Sequence, residues 1–175
     1  LRMHQALLAK YPAALLLWAP RHPERFPAAI ARVREAGLQV ACRTQQHEPA
    51  KDTQVFIIDS LGELAGFMPG LDIVFVGGSI QAIGGHNVLE PAAAGVPVLV
   101  GPHTANFKDS VAMLADAGGL RQCSDADTLQ QTFMALMQDP AARQIMSDAN
   151  RACVLANQGA LEKTKALIAQ RLVTG

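Results

Sequence analysis

The sequence predicts an α/β fold, in which helices cover both faces of a parallel sheet and several consecutive helices end the chain. The first observation is a series of short apolar runs. They lack the strict alternation of apolar and polar residues that is typical of a sheet with one face exposed to solvent. The second is that amphipathic helical stretches separate most of these runs. This alternation is typical of a Rossmann-like parallel sheet. The chain has 175 residues, 50% of them hydrophobic, and residues 1–175 are predicted to form a single domain.

Strands and helices are predicted in alternating order along the chain. Buried strands are predicted at residues 14–18, 38–42, 54–58, 73–76 and 97–100. Amphipathic helices are predicted at residues 23–36 and 106–117, and three consecutive helices at residues 125–138, 140–156 and 159–172. Asp125 and Asp139 stand where N-caps belong, and Pro140 suits the first position of a helix.

Charge, cysteine content and missing motifs argue against several classes of function. Lysine plus arginine number 15 and aspartate plus glutamate number 15, so no net field draws the protein to nucleic acid. The three cysteines are widely spaced, which favours a reducing cytoplasm over zinc or redox chemistry, and we predict neither a metal site nor a cofactor. The motifs of dinucleotide, P-loop and HExxH zinc enzymes do not occur. No apolar run is long enough to cross a bilayer, and we expect the chain to be a piece of a longer protein.

Ligands of an open parallel sheet bind beyond the carboxyl ends of its strands. The first such junction carries Arg21, His22 and Pro23, directly after the strand at 14–18. A helix start beside an arginine suits a phosphate. The same residues are equally consistent with a solvated loop ahead of a helix that Pro23 opens.

The strongest signal follows the strand at 73–76. Four glycines occur within nine positions, at Gly77, Gly78, Gly84 and Gly85. Glycine permits positive φ angles and close approach of a ligand to the backbone. Ser79 and the N–H groups after it are predicted to form an anion site at the start of a helix. A tight turn seldom needs so many glycines followed by His86 and Asn87, so this pattern favours binding over a purely structural connection.

Two further junctions supply candidate contacts, and a third does not. Glu90 lies one helical turn beyond Asn87 and has the geometry to accept ribose hydroxyls, although a glutamate in a first turn also suits the helix dipole alone. His103 and Asn106 follow the strand at 97–100 as candidate substrate contacts, or as a loop residue and a helix cap. Ser60 and Glu63 fit a capping box better than catalysis.

The order of these motifs resembles the C-terminal domain of the Kdo (3-deoxy-D-manno-octulosonic acid) transferases. The resemblance is carried by Gly-Gly-Ser at 77–79, Gly-Gly-His-Asn at 84–87, Leu-Glu-Pro at 89–91 and Gly-Pro-His-Thr at 101–104, with Pro-Arg-His-Pro at 20–23. It implies the C-terminal half of a GT-B glycosyltransferase, in which two Rossmann-like domains enclose a cleft and the C-terminal one holds the donor. Ser60, Met68, Pro69 and Val88 depart from the residues common in the family without removing a polar contact.

The resemblance also implies roles for individual residues. Arg21, His22 and Pro23 would meet the phosphate of CMP-Kdo, and Glu90 the ribose. The other implied or candidate contacts are Gly78, Ser79, Gly84, Gly85, His86, Asn87, His103 and Asn106.

The implied reaction is an inverting transfer of Kdo to a lipid A precursor in lipopolysaccharide biosynthesis, without a metal. The general base would be a glutamate of an N-terminal domain that this chain lacks. That part would also associate the protein with the cytoplasmic face of the bacterial inner membrane. We therefore expect this chain alone to be inactive, and the domain itself to be soluble.

Other classes of function stay open on the sequence alone. They are the donor half of a GT-B enzyme that uses a UDP-sugar, a UDP-sugar epimerase of similar architecture, and a binding module without chemistry. A comparison of CMP with UDP binding separates the first two from a Kdo transferase.

Overall fold

The computed structural model describes the backbone of residues 1–173 and the side chains of residues 1–157. Its contacts divide the chain into two compact units, Leu1–Phe67 and Met68–Gly175. The predicted α/β class is confirmed, with every ladder parallel. The strands hydrogen-bond in two groups of three, where the sequence predicted one sheet.

The first unit contains a three-stranded sheet in the order β1-β3-β2. Its elements are α1 (Arg2–Leu8), β1 (Leu16–Trp18), a 3-10 turn (Pro23–Arg25), α2 (Phe26–Glu35), β2 (Val40–Cys42), β3 (Val55–Ile57) and α3 (Leu64–Phe67). The central strand β3 is fully buried, and Val33 of α2 packs into the same core. The His4 ring of α1 lies 2.8 Å from the carbonyl of Gln54, at the start of β3.

The second unit contains a sheet in the order β4-β5-β6. Its elements are a 3-10 turn (Met68–Gly70), β4 (Val74–Phe75), α4 (Leu89–Ala93), β5 (Val98–Val100), a 3-10 turn (Ala105–Phe107), α5 (Lys108–Asp116), β6 (Leu120–Gln122), α6 (Ala126–Gln138) and α7 (Pro140–Val173). The middle strand β5 is fully buried, and Leu114 of α5 lies in the same core as Val98 and Val100.

The five predicted strands are present, each shortened by one or two residues in total. The sixth strand, β6, was not predicted, because only Leu120 of its three residues is buried. The remaining two, Arg121 and Gln122, are exposed at the sheet edge and leave no apolar run to detect. The helices predicted at 23–36 and 106–117 both begin with a 3-10 turn.

The C-terminal helices differ from the prediction in number. Asp125 caps α6, since its carboxylate accepts the Thr128 N–H at 2.7 Å, and Asp139 accepts the Ala142 N–H at 2.9 Å as predicted. The predicted helices at 140–156 and 159–172 are one continuous helix, α7. Gly159 stands at the predicted start of the second of these helices, but a glycine lowers helix stability by only about 1 kcal/mol, which does not by itself end a helix.

One buried side chain fastens α7 to the sheet of the second unit. The amide nitrogen of Asn150 donates to the carbonyls of Val96 at 2.7 Å and Gly119 at 2.9 Å. These carbonyls precede β5 and β6. A buried amide with two good acceptors fixes the position of the helix along the sheet. Along the described residues, no helix is both long and apolar enough to cross a bilayer.

Candidate functional site

The side chain of Ser79 lies where β4 and β5 diverge. The Val76 N–H donates to the carbonyl of Leu99 at 2.9 Å, and in a parallel ladder the next bond would run from the Gly101 N–H to the carbonyl of Val76. The Ser79 hydroxyl occupies that place: it accepts from the Gly101 N–H at 2.9 Å and donates to the Val76 carbonyl at 2.7 Å. The two strands therefore separate here by the width of one hydroxyl group.

Ser79 is completely buried, with 0% of its surface exposed. Its hydroxyl makes both of its hydrogen bonds to the backbone. The sequence predicted that Ser79 begins an anion site at a helix start, but α4 begins only at Leu89. In the structure, the Ser79 side chain instead links two loops.

These two loops are the glycine-rich loop (residues 76–88) and the loop after β5 (residues 101–107). The carbonyl of Ser79 accepts the His103 N–H at 2.9 Å, and the carbonyl of Gly84 accepts the Asn106 N–H at 3.0 Å. Within the glycine-rich loop, the Gly85 N–H donates to the carbonyl of Gly78 at 2.9 Å. The sequence predicted both loops as ligand sites, and the structure places them against each other.

The glycines allow this close approach. Gly84 has a φ of +98°, and a Cβ there would lie 2.5 Å from the side-chain nitrogen of Asn106. A Cβ on Gly101 would collide with the backbone of Ser79. Because backbone cannot yield as a side chain can, alanine at position 101 would force the two loops apart.

His86 and the pair Asn87 and Glu90 follow the glycines. The half-buried His86 ring covers Gly78, where a Cβ would lie 3.1 Å from the ring nitrogen Nε2. The Asn87 amide donates to the Glu90 carboxylate at 3.0 Å, and its carbonyl oxygen accepts the Leu89 N–H at 3.0 Å. The predicted proximity of Asn87 and Glu90 is confirmed. Both side chains are exposed, and the carboxylate retains capacity to accept further hydrogen bonds.

A groove of about 720 Å³ adjoins these loops within the second unit. Its walls are residues 82–84 of the glycine-rich loop, residues 102–106 of the following loop, one face of α5 and Gln122 of β6. Three predicted contacts line it: Gly84, His103 and Asn106. His86, Asn87 and Glu90 are not among its lining residues.

Two polar lining residues, Lys108 and Gln122, were not singled out as candidate contacts from the sequence. The Gln122 amide donates to the carbonyls of Gly101 at 3.2 Å and Pro102 at 3.3 Å, so it holds the loop after β5 to the edge strand. Detecting β6 would have drawn attention to Gln122, because ligands bind beyond the carboxyl ends of parallel strands and Gln122 is the last residue of β6. The sequence assigned no role to Lys108.

Arg21, His22 and Pro23 lie in the first unit, directly beyond the carboxyl end of β1. All three are exposed, and Pro23 opens the 3-10 turn that precedes α2. The backbone of His22 is extended, and its carbonyl accepts the Arg25 N–H at 2.9 Å. The predicted placement after a strand and before a helix is confirmed, while a contact with phosphate stays a prediction.

The capping box predicted at Ser60 and Glu63 is wrong. The helix begins at Leu64, after Glu63, and the Ser60 hydroxyl donates to the Glu63 side chain. The Arg43 guanidinium binds the same carboxylate at 3.1 Å.

A metal would require a cluster of suitable ligands. Among the residues that the structure describes, no three or more histidine, cysteine, aspartate or glutamate side chains come together closely enough to hold a metal ion.

Comparison with known proteins places this chain beside a family of transferases. It is 42% identical over 161 residues to the 3-deoxy-D-manno-octulosonic acid transferase of Bordetella pertussis, covering 91% of this chain and 38% of that protein. It is 41% identical over 164 residues to the enzyme of the same name from Haemophilus influenzae, covering 93% of this chain and 38% of that protein. The chain thus spans less than half the length of these relatives. No protein-family profile matches it.

A solved structure with a similar fold is the C-terminal CMP-Kdo binding domain of WaaA from Acinetobacter baumannii. The TM-score is 0.82 at 28% sequence identity, and the match covers 87% of this chain and 80% of the solved one.

Proposed function

Because the chain belongs with the C-terminal domain of the 3-deoxy-D-manno-octulosonic acid (Kdo) transferases, we propose that it holds CMP-Kdo as the sugar donor of a glycosyltransferase. The observation that carries the proposal is the likeness, in sequence and fold, to a domain described as binding CMP-Kdo. The joined loops at 76–88 and 101–107 support it, since they form a preorganised surface at the carboxyl edge of the β4-β5-β6 sheet.

The donor contacts we propose follow from exposure and hydrogen-bonding capacity. Glu90 would accept the ribose hydroxyls, with Asn87 holding its carboxylate in place at 3.0 Å. His86 and the backbone of Gly85 would meet the phosphate and the adjoining sugar. Ser79 would act indirectly, by fixing the loops. Arg21, with His22 and Pro23, remains the proposed phosphate contact of the first unit.

The proposed reaction is an inverting transfer of Kdo to a hydroxyl of a lipid A precursor. The acceptor oxygen forms the new bond to the sugar and loses its proton to a general base, while the bond to the phosphate breaks and CMP leaves. Negative charge develops on the departing phosphate, where cationic and N–H groups stabilise it. We propose that the base and the acceptor site belong to a part of the protein outside this chain, which would also contact the membrane surface, and that this chain alone transfers nothing.

The test of the donor site replaces Glu90 with glutamine. The loss of charge-assisted hydrogen bonds to the ribose should weaken CMP binding by about 1.5–3 kcal/mol, or roughly ten- to a hundredfold. Isothermal titration calorimetry with CMP and with its 2′,3′-dideoxy analogue measures this loss. Glu35→Gln, at an exposed glutamate at the end of α2, is the matched control for a change of one charge. Equal weakening of both ligands by Glu90→Gln would remove the ribose role.

Two further titrations test the nucleotide and the metal. CMP should bind more tightly than CDP, UDP or UMP, whereas a preference for UDP would favour a UDP-sugar transferase or epimerase. We propose that no divalent cation takes part, so the affinity for CMP should be the same with EDTA and with magnesium. An affinity that collapses in EDTA and returns with magnesium would refute this.

A further inference from the structure

The groove of about 720 Å³ has a distinct charge pattern. Its two basic lining residues are Lys108 and His103, and no carboxylate lines it. No carboxylate among the described residues is within ion-pair distance of Lys108. A groove lined by a lysine and by no acidic residue is complementary to an anion.

The remaining walls suit a polyhydroxylated ring. Asn106 and Thr104 present neutral polar groups, and Gln122 keeps its side-chain carbonyl oxygen as an acceptor after its nitrogen binds the loop. Ala112 and Ala115 of α5 provide a small apolar surface against which a sugar ring can pack. The volume lies within the range of about 300–1,000 Å³ typical of sites for small ligands.

We infer that this groove holds the sugar half of the donor, and that Lys108 pairs with the carboxylate of that sugar. The inference rests on the proposed function, in which the transferred group is an eight-carbon sugar acid. The groove adjoins the glycine-rich loop through Gly84, and the proposed contact His86 lies two residues farther along the same loop, so the inference requires one ligand to span both. Lys108 thereby distinguishes a sugar acid from a neutral sugar.

The experiment compares three ligands on the wild-type chain and on Lys108→Gln. The ligands are CMP, a hydrolysis-resistant analogue of CMP-Kdo that keeps the carboxylate, and the same analogue with the carboxylate converted to a carboxamide. Lys108→Gln should weaken the carboxylate analogue roughly tenfold, because it removes a charge-assisted hydrogen bond. CMP and the carboxamide should change less than about twofold, and Lys108→Arg should restore part of the loss.

The matched control is Arg121→Gln, which removes one exposed positive charge from β6 outside the groove lining. It should affect all three ligands by less than about twofold. A Lys108→Gln protein that binds the carboxylate analogue as tightly as wild type, or that weakens CMP equally, would overturn the inference while leaving the proposed function in place. Failure of the wild-type chain to bind CMP at all would overturn the proposed function, and this inference with it.

Discussion

Replacing Ser79 with alanine removes the hydroxyl that bridges β4 and β5. The Val76 carbonyl and the Gly101 N–H would then lose hydrogen bonds of 2.7 and 2.9 Å in a fully buried environment. Each buried backbone group left without a partner costs about 1–3 kcal/mol, so the loss of both partners should lower the free energy of unfolding of the second unit by about 2–6 kcal/mol. Contact between the two loops should weaken with it.

The assay must report on the second unit, and the single tryptophan, Trp18, lies in the first. Native-state hydrogen exchange followed by NMR avoids this difficulty, because the amides of the buried strand β5 report global unfolding of their unit. The Gly101 amide should also lose protection locally, by more than its neighbours in β5.

Ser110→Ala is the matched control, because the side chain of this α5 serine makes no hydrogen bond to any residue whose side chain the structure describes. Its effect should stay within about 0.5 kcal/mol. If Ser79→Ala leaves the Gly101 amide as protected as in wild type, or changes the unfolding free energy by no more than the control, the hydroxyl does not bridge the strands and the argument fails.

Three other substitutions test the packing. Burial lowers the pKa of His4 below 6.5, so protonation favours the unfolded chain and the free energy of unfolding falls as the pH drops through 6.5. Thermal melts between pH 7.5 and 5.5 should therefore show a smaller loss of stability for His4→Gln than for wild type. The hydrogen bond from the Thr128 N–H lowers the pKa of Asp125 below 3.8, so the stabilisation from the ionised carboxylate is complete above about pH 4 and is lost as the pH falls through the folded-state pKa. Asp125→Asn should have the same melting temperature as wild type at pH 7, and its melting temperature should fall less on acidification to pH 2.5. Asn150→Ala should lower the urea-unfolding free energy by about 1–3 kcal/mol through two lost hydrogen bonds, and a change under about 0.5 kcal/mol would contradict the anchoring role.

Sequence reasoning located the strands that are buried on both faces, because an unbroken apolar run is a local signal. It missed β6, whose only buried residue is Leu120. The sequence likewise identified the glycine-rich loop as unusual. Sequence reasoning could not predict that Ser79 bridges β4 and β5, because this role depends on the hydrogen-bonded ladder between two strands that are distant in sequence.

The groove shows the same limit. His103 and Asn106 were predicted as contacts because they follow a strand directly, whereas Lys108 is the first residue of α5 and carries no local signal of binding. Only the packing of α5 beside two loops makes it part of a groove.

The amide of Asn150 has a consequence for how freely the chain can vary. A Cβ on Gly119 would collide with the Asn150 side-chain oxygen, so a larger residue at 119 and an asparagine at 150 exclude each other. The residues at positions 119 and 150 are therefore coupled, and a chimera made by recombining two relatives must take both positions from the same parent. A chain shortened to end before Asn150 would in addition strip the Val96 carbonyl of its side-chain donor, so the central part of α7 belongs to the folding unit of the sheet.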